Sequence, residues 1–256
     1  MRKNKKNKKE MKLALLVKLK QIFGNKKNPS CAAVIVAAGD STRFQNDKTE
    51  INIGGMPALA KAIKAFQESS LISEIVVVTK EEKISHVAEL VKTYGFNKVK
   101  SVIIGGKTRY ESSLAGVSAV SRGIKIIAIH DGARPFVTNA VISRTVEAAS
   151  KYISAVPAIA CEDTLRCFEN DYLSGTVERD RIVRIQTPQV FDADLIKGAL
   201  TFAIKNEIIL TDDSSAMDYL GIKTRIVAGD KNNIKLTNPE DIIIAEAIAK
   251  KQENEH

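Results

Sequence analysis

Cysteine and long apolar runs are both scarce in this chain of 256 residues. The three cysteines, Cys31, Cys161 and Cys167, form no CxxC pair and cannot all be bridged internally. This pattern argues against a zinc ribbon and favours a reducing compartment, which we expect to be the cytoplasm. No apolar run reaches the roughly 18 residues that a membrane-spanning helix needs. The 44% of hydrophobic residues is still enough to bury one core, so one α/β domain of ordinary size is expected.

The sequence also lacks the common signatures of catalytic and nucleotide-binding sites. It contains neither the GxxxxGK[ST] pattern of a P-loop nor the GxGxxG pattern of a dinucleotide-binding turn. No serine or cysteine nucleophile is paired with a histidine base, and no group of histidines and cysteines has metal-ligand spacing. Any chemistry must therefore come from other residue types.

The net charge of +9 is concentrated at the amino terminus. Residues 1–30 contain eleven Lys or Arg and one acid, Glu10, so the remaining chain holds 28 basic and 29 acidic residues. We interpret 1–30 as a solvated, flexible extension. A second interpretation is a short amphipathic helix on a membrane surface, because leucines, Ile22 and Phe23 fall on one face among the lysines. Nucleic-acid binding by the extension alone would be weak and salt-sensitive, and we expect no nucleic-acid partner.

After residue 30, apolar runs alternate with segments of helical period. Runs rich in valine and isoleucine predict strands at 32–37, 74–79, 98–104, 126–129, 155–160 and 224–227. Helical patterns lie near 57–69, 82–94, 108–121, 138–152, 192–205, 212–220 and 238–251. The alternation predicts an α/β fold with a doubly wound, mostly parallel sheet. The segment 161–187 interrupts it with mixed charges and short β-like pieces, which indicates a projecting hairpin or arm.

The most informative stretch directly follows the first predicted strand. It is the small, polar turn AAGDSTR at 37–43, with Lys48 five residues after Arg43. A strand that ends in such a turn directs backbone N–H groups into one concavity, and small side chains let a phosphate approach them. The two cations add to what a triphosphate needs, although an ordinary strand-to-helix turn would look the same.

Further candidate residues follow later predicted strands. The glycine pair 105–106 allows close approach of a phosphate or a base, although a plain turn also explains it. Asp131 ends a strand, as a divalent-metal ligand often does, and Arg134 beside it can hold an anionic substrate. Thr211 and Lys235 stand in later polar turns. Cations, one carboxylate and glycine turns without a nucleophile are typical of phosphoryl or nucleotidyl transfer, in which the protein positions reactants and stabilises charge.

Five ordered motifs give the chain a resemblance to a known family. They are AAG at 37–39 with Arg43 and Lys48, GG at 105–106 with Arg109 and Ser112, HDGARP at 130–135, TVER at 176–179 with QTPQVF at 186–191, and NIKLTNPED at 233–241. In this order and spacing, residues 31–250 resemble the 2-C-methyl-D-erythritol 4-phosphate cytidylyltransferase family. The resemblance implies a Rossmann-like fold, CTP and a sugar-alcohol phosphate as substrates, Mg²⁺ as cofactor, and transfer of CMP with release of pyrophosphate.

The resemblance also implies roles for individual residues. The CTP-binding set would be Ala37, Ala38, Gly39, Ser41, Gly106, Ser112 and Gly132. The catalytic set would be Arg43, Lys48, Arg179 and Lys235, and Asp131 would hold the metal. The sugar phosphate would be held by Thr164 and Arg179 from the arm of a partner subunit in a homodimer, together with Arg134 and Thr211. We therefore divide the chain into the basic extension 1–30 and a cytidylyltransferase domain 31–256 with a dimerisation arm at about 161–187.

The chain departs from the family pattern in places that bear on the site. Ser41 stands where glycine is usual, the stretch between Arg43 and Lys48 is shorter than usual, and Asn232 stands where an acid is common, with Asp230 nearby. A ribitol 5-phosphate cytidylyltransferase, which shares most of the motifs, is one alternative. Another is a catalytically degenerate core whose basic extension binds a membrane or nucleic acid. We expect the methylerythritol enzyme, because the arm and the DDSSAM segment at 212–217 fit it more closely.

We predict that Lys48→Ala lowers kcat for pyrophosphate release from CTP by orders of magnitude. One charge donor placed at the developing charge of a transition state is typically worth about 100- to 1,000-fold in rate. Turnover is measured with CTP, Mg²⁺ and the sugar phosphate, and circular dichroism checks that the variant is folded. Near-wild-type turnover would remove Lys48 from the catalytic set.

Overall fold

The fold is given by a computed structural model that describes residues 30–39 and 49–254. Residues 1–29, 40–48 and 255–256 lie outside the described part. The predictions for the basic extension and for Ser41, Arg43 and Lys48 concern these residues and stay predictions. The division of the chain at residue 30 likewise stays a prediction.

The described residues form twelve strands and seven α-helices. The strands are β1 (Cys31–Val36), β2 (Asn52–Ile53), β3 (Met56–Pro57), β4 (Ile72–Thr79), β5 (Val99–Ile104), β6 (Ile126–Asp131), β7 (Ser154–Ala160), β8 (Arg166–Glu169), β9 (Tyr172–Thr176), β10 (Val183–Ile185), β11 (Gln189–Asp192) and β12 (Arg225–Ala228). The helices are α1 (Ala58–Glu68), α2 (Ile84–Thr93), α3 (Arg109–Ala119), α4 (Asn139–Tyr152), α5 (Ala193–Lys205), α6 (Asp213–Tyr219) and α7 (Asp241–Asn254).

Eight of these strands form one central sheet. Four neighbours, in the order β6–β1–β4–β5, are parallel. On the other flank, β11 pairs antiparallel with both β6 and β7, and β7 also takes β10 antiparallel and β12 parallel. The predicted α/β fold with a mostly parallel sheet is therefore confirmed. The strand β11 was not predicted, because its four residues are too few to show a period.

The sheet is covered by helices on both faces, as its apolar strands require. All six residues of β1 are buried. Ala33 and Ile35 join the cluster formed with α1, α2 and α4, whereas Val34 and Val36 join the cluster formed with α3, α5 and α6. Successive residues of a strand point to opposite faces, so a strand with two buried faces reads as a continuous apolar run.

The interruption at 161–187 contains a separate hairpin, which confirms the predicted arm. Strands β8 and β9 pair with each other and not with the central sheet. Their large apolar side chains are mostly exposed, at 75% for Phe168, 78% for Tyr172 and 66% for Leu173. After a short 3-10 turn at Arg179–Arg181, β10 returns the chain to the sheet.

Gly116 lets α3 lie directly on the sheet. A Cβ at this position would overlap Cγ1 of Val34 and would stand 2.8 Å from Cγ2 of Val78. The same helix begins at Arg109, next to the carboxyl ends of β1 and β5. Close packing at Gly116 therefore helps to fix where the first residues of α3 stand.

We predict that Gly116→Ala lowers the free energy of unfolding by about 1–3 kcal/mol, the usual effect of inserting a methyl group into a close-packed core. Urea denaturation measures the change. Gly198 in α5 is the control, because a Cβ there would meet nothing within 4 Å. Gly198→Ala should leave stability unchanged or raise it by up to about 1 kcal/mol, since alanine favours a helix. Equal stability of the two variants would contradict the close contact.

Candidate active site

The carboxyl ends of β1, β5 and β6 surround one pocket at the edge of the sheet. After β1 the chain forms β4 and β5 on one side of β1 and then β6 on the other side. Such a reversal of strand order opens a crevice at the carboxyl ends of the strands. The described lining residues are Val36, Ala37, Ala38, Gly39, Thr49, Gly106, Lys107, Thr108, Arg109, Ser112, Asp131, Ala133 and Lys235.

The pocket brings together most of the predicted site residues that the structure describes. Those in its lining are Ala37, Ala38, Gly39, Gly106, Ser112, Asp131 and Lys235. Gly132 lies directly behind it, where its amide donates to the Val36 carbonyl at 2.8 Å. Arg134 lies beside Asp131 and is mostly buried. Residues that are far apart in the sequence thus meet at one edge of the sheet.

Asp131 is the charge centre of the pocket. Its Oδ1 accepts a hydrogen bond from Nε of Arg109 at 3.0 Å and also lies 3.0 Å from Nη2 of the same guanidinium. Its Oδ2 lies 2.9 Å from Nζ of Lys235 and 3.6 Å from Nε of Arg134. Burial on its own would raise the pKa of Asp131, but Arg109, Lys235 and Arg134 together hold it far below the usual range. The carboxylate is therefore ionised at neutral pH.

Arg109 is a site residue whose role was not predicted from the sequence. Its Nη1 donates to Oδ2 of Asp213 at 2.7 Å, so the guanidinium bridges two carboxylates. Asp213 begins α6 and is fully buried. Burial raises the pKa of Asp213, against the opposing effect of Arg109 and the Ser113 hydroxyl. Arg109 was part of a quoted motif, but no local signal could show that its partner stands 104 residues away.

His130 holds the backbone around Asp131 and is fully buried. The Thr187 hydroxyl accepts a hydrogen bond from the Asp131 amide at 3.1 Å and can donate one to Nδ1 of His130 at 3.0 Å. The other ring nitrogen, Nε2, then donates to the Arg134 carbonyl at 3.1 Å. We assign this neutral tautomer because it satisfies every group in the chain of bonds. Burial lowers the pKa of His130 to about 4. His130 therefore has a structural role.

The turn that carries Lys235 is tied to the end of β6. Asn233 is fully buried; its Nδ2 donates to the Thr187 carbonyl at 2.9 Å, and its own carbonyl accepts from Arg134 at 2.7 Å. Gln186 bonds the backbone of Asp230 in both directions, at 2.7 and 3.1 Å. Gln186, Thr187 and Asn233 therefore act as structural supports of this turn.

The packing of the fold itself requires glycine at positions 105 and 106. A Cβ on Gly105 would stand 2.5 Å from Cβ of Ala38, and one on Gly106 would overlap Cβ of Glu111. The Gly106 amide donates to Oγ of Ser112 at 3.1 Å, and the Thr108 amide donates to the Glu111 carboxylate at 2.8 Å. These amides are hydrogen-bonded within the turn and are not free to bind a ligand. The glycine pair therefore offers a ligand mainly a backbone surface without side chains.

The remaining predicted residues lie outside the pocket lining of the described chain. Thr164, Arg179 and Thr211 are exposed, and Nη1 of Arg179 contacts the Glu162 carbonyl at 3.3 Å. Asp230 uses its Oδ1 to accept the Asn232 amide at 2.8 Å. Within residues 30–39 and 49–254, no group of three or more His, Cys, Asp and Glu side chains could hold a metal ion. The same residues include no helix long and apolar enough to cross a bilayer.

Comparisons with known proteins identify the family to which the chain is similar. The sequence model of the 2-C-methyl-D-erythritol 4-phosphate cytidylyltransferase family matches residues 31–251. The enzyme of that name from Halalkalibacterium halodurans is 39% identical over 224 residues, which cover 87% of this chain and 98% of the relative. The one from Dehalococcoides mccartyi is 40% identical over 226 residues, covering 88% and 98%.

Solved structures of such enzymes share the fold. The 4-diphosphocytidyl-2C-methyl-D-erythritol synthase from Anaerococcus prevotii superimposes with a TM-score of 0.79 at 29% identity, over 87% of this chain and 97% of that one. The 2-C-methyl-D-erythritol 4-phosphate cytidylyltransferase from Thermus thermophilus gives a TM-score of 0.70 at 28% identity, over 85% and 98%.

We predict that His130 makes the fold less stable as the pH falls from 6.5 towards 4. In this window an unfolded histidine binds a proton, whereas the buried ring, with its pKa of about 4, does not. Protonation therefore favours unfolding, by up to roughly 3 kcal/mol, and the contribution vanishes above pH 6.5. Urea denaturation at several pH values measures the slope. His130→Gln should lose the part of the pH dependence of unfolding that arises from His130. The exposed control His86→Gln should keep that part. An identical slope in both variants would contradict the assignment.

Proposed function

The chain belongs to the 2-C-methyl-D-erythritol 4-phosphate cytidylyltransferase family, and we propose that the pocket around Asp131 is where it carries out the family's reaction. The protein is a nucleotidyltransferase that transfers the cytidylyl group of CTP to 2-C-methyl-D-erythritol 4-phosphate in isoprenoid precursor biosynthesis. The convergence of one ionised carboxylate with three cations at the carboxyl edge of the sheet carries the proposal.

The reaction depends on positioning of the two substrates and on stabilisation of charge more than on proton transfer. A phosphate oxygen of the sugar phosphate attacks the α-phosphorus of CTP in line, a new P–O bond forms, and pyrophosphate leaves with the electrons of the broken bond. The attacking oxygen is already anionic, so it needs no general base. His130 suits this scheme, because both of its ring nitrogens are bonded within the fold. Negative charge gathered on the reacting phosphates is offset by cations.

Each predicted residue receives a place in this scheme. Lys235 stands at the rim, and its side chain, 38% exposed, can turn from Asp131 towards a phosphate oxygen. The turn 37–39, Gly106, Ser112 and Gly132 form the nucleotide side of the site. Gly39 and Thr49, the described residues that flank 40–48 in the sequence, both line the pocket. This supports placing Arg43 and Lys48 at the α-phosphate, with Ser41 close to the nucleotide.

We assign Asp131 as the protein ligand of Mg²⁺. This ion is commonly held by one or two carboxylates together with substrate phosphates and water. Asp131 is the one carboxylate among the described lining residues, and its ionised form fits an ion that arrives with CTP. When bound, the ion offsets charge on the triphosphate. Asp230 is not assigned as a second ligand, because it lies outside the described lining of the pocket.

We further propose that the arm makes a homodimer. The hairpin exposes Phe168, Tyr172 and Leu173 together, and an apolar patch of this kind is typical of an interaction surface. Thr164 and Arg179 stand near this hairpin, away from the pocket lining of their own chain. Exchange of arms between two subunits would bring them, with Arg134 and Thr211, to the sugar phosphate. We place the enzyme in the cytoplasm, which suits its three free cysteines.

Pyrophosphate release tests the proposed function directly. The full chain is assayed with CTP and Mg²⁺ and with either 2-C-methyl-D-erythritol 4-phosphate or ribitol 5-phosphate. We expect release with the first sugar phosphate to exceed that with the second by a wide margin. Preference for ribitol 5-phosphate would favour the sister activity, and no release with either would favour a degenerate core.

We predict that Arg179→Ala raises the KM for the sugar phosphate by roughly 10- to 100-fold, the value of a hydrogen bond to a charged group. The Kd of CTP should stay within about twofold, because Arg179 binds only the second substrate. Steady-state kinetics and calorimetry measure the two constants. Arg181, an exposed arm residue that pairs with Glu178 at 3.4 Å, provides the control Arg181→Ala. Equal loss of both substrates would instead indicate that the arm had collapsed.

A further inference from the structure

Arg109 binds two carboxylates at once. Its Nε and Nη2 lie 3.0 Å from Oδ1 of Asp131, and its Nη1 lies 2.7 Å from Oδ2 of Asp213. The guanidinium is planar and always protonated, so this arrangement uses both of its edges and restricts its rotation. Asp213 is the member of the trio that lies outside the pocket lining within the described residues.

Asp213 is held in place by the start of its own helix. Asp212 caps α6 in a capping box with Ser215, and its Oδ2 accepts Nε2 of Gln189 at 2.8 Å. Oε1 of Gln189 in turn accepts the Ser214 amide at 2.8 Å. Gln189 opens β11, which is buried and pairs with β6 and β7. The helix start is therefore fixed to the sheet that also carries Asp131.

Asp213 makes the charge cluster around Asp131 less positive. Arg109, Arg134 and Lys235 bring three positive charges to one carboxylate, which gives a net charge of +2. Asp213, bound to the far side of Arg109, lowers the net charge of the cluster to +1. Charges a few ångströms apart interact strongly where little water screens them. Each positive charge in excess therefore opposes the entry of a divalent cation at Asp131.

We propose that Asp213 is a positioning residue of the cytidylyl-transfer site and acts through Arg109. It fixes the guanidinium and offsets its charge, so that Asp131 can bind a divalent cation when CTP enters. The inference rests on the proposed function of the pocket. It assigns to Asp213 no contact with either substrate.

This role has a signature that a purely structural role lacks. Loss of the Asp213 charge makes the pocket more positive, which favours the CTP triphosphate and disfavours Mg²⁺. The two ligands are thus affected in opposite directions. A residue that only supports the fold would weaken binding of CTP with and without the metal.

Calorimetry of CTP binding, without the sugar phosphate, reads out this signature. The full chain is titrated at a series of Mg²⁺ concentrations as wild type, Asp213→Asn, Arg109→Gln and the double variant. For Asp213→Asn we expect the Mg²⁺ concentration for half of the maximal tightening to rise about tenfold, the value of one charged partner. The affinity for CTP alone should be unchanged or higher. In the Arg109→Gln background, Asp213→Asn should shift the Mg²⁺ requirement clearly less than tenfold, because there is no guanidinium to hold.

The matched control is Asp218→Asn, an exposed carboxylate on the same helix, which should leave the Mg²⁺ requirement within about twofold. If Asp213→Asn does not fold, Arg109→Lys serves in its place. An ammonium group keeps the charge but cannot bridge both carboxylates, so it should also raise the Mg²⁺ requirement.

Three results would overturn the inference: an unchanged Mg²⁺ requirement, equal loss of CTP affinity with and without Mg²⁺, or the same shift in the Arg109→Gln background. Absence of CTP binding by the wild type would reject the proposed function of the pocket as well. Wild-type binding combined with any of the three results would reject the role of Asp213 alone.

Discussion

The carboxylate of Asp131, shared by three cations, is the interaction on which the rest of the site depends. A buried carboxylate is costly unless it is paired and hydrogen-bonded. Here the partners come from the start of α3, from the turn after β6 and from the turn before α7. Arg134 is close to Asp131 in the sequence, but Arg109 and Lys235 are not, so the complete site exists only when the sheet is assembled. The charges that hold the carboxylate in the free protein are those that can later face a triphosphate.

The fold places these charges through a series of close contacts. Gly116 lets α3 lie against the sheet, which sets the position of Arg109. Thr187 and His130 fix the backbone on either side of Asp131, and the buried Asn233 ties the Lys235 turn to the same point. These supports use uncharged hydrogen bonds, so they position the cluster without altering its charge. The geometry of the charge cluster and its net charge are therefore set by different residues.

Much of the fold and part of the site could be predicted from the sequence, for identifiable reasons. Long runs of valine and isoleucine marked the parallel strands, and the residues that end them, Ala37 and Asp131 among them, were candidates because strand ends converge. Supports that reach across the chain were not predictable, since the partner of Arg109 lies 104 residues away. The strand β11 was too short to show a period. The sequence allows either a ligand surface or a plain turn at the glycine pair 105–106, and the close approach of Ala38 and Glu111, which leaves no room for a Cβ, could not be predicted.

The central claim is that the ionised carboxylate of Asp131 organises the transfer site, and pyrophosphate release by Asp131→Asn tests it most directly. The variant keeps the size of the side chain and removes the charge that three cations share. With saturating CTP, Mg²⁺ and 2-C-methyl-D-erythritol 4-phosphate, and with a native circular dichroism spectrum, we expect kcat to fall by about a hundredfold or more. Turnover within a few-fold of wild type in the folded variant would contradict the claim.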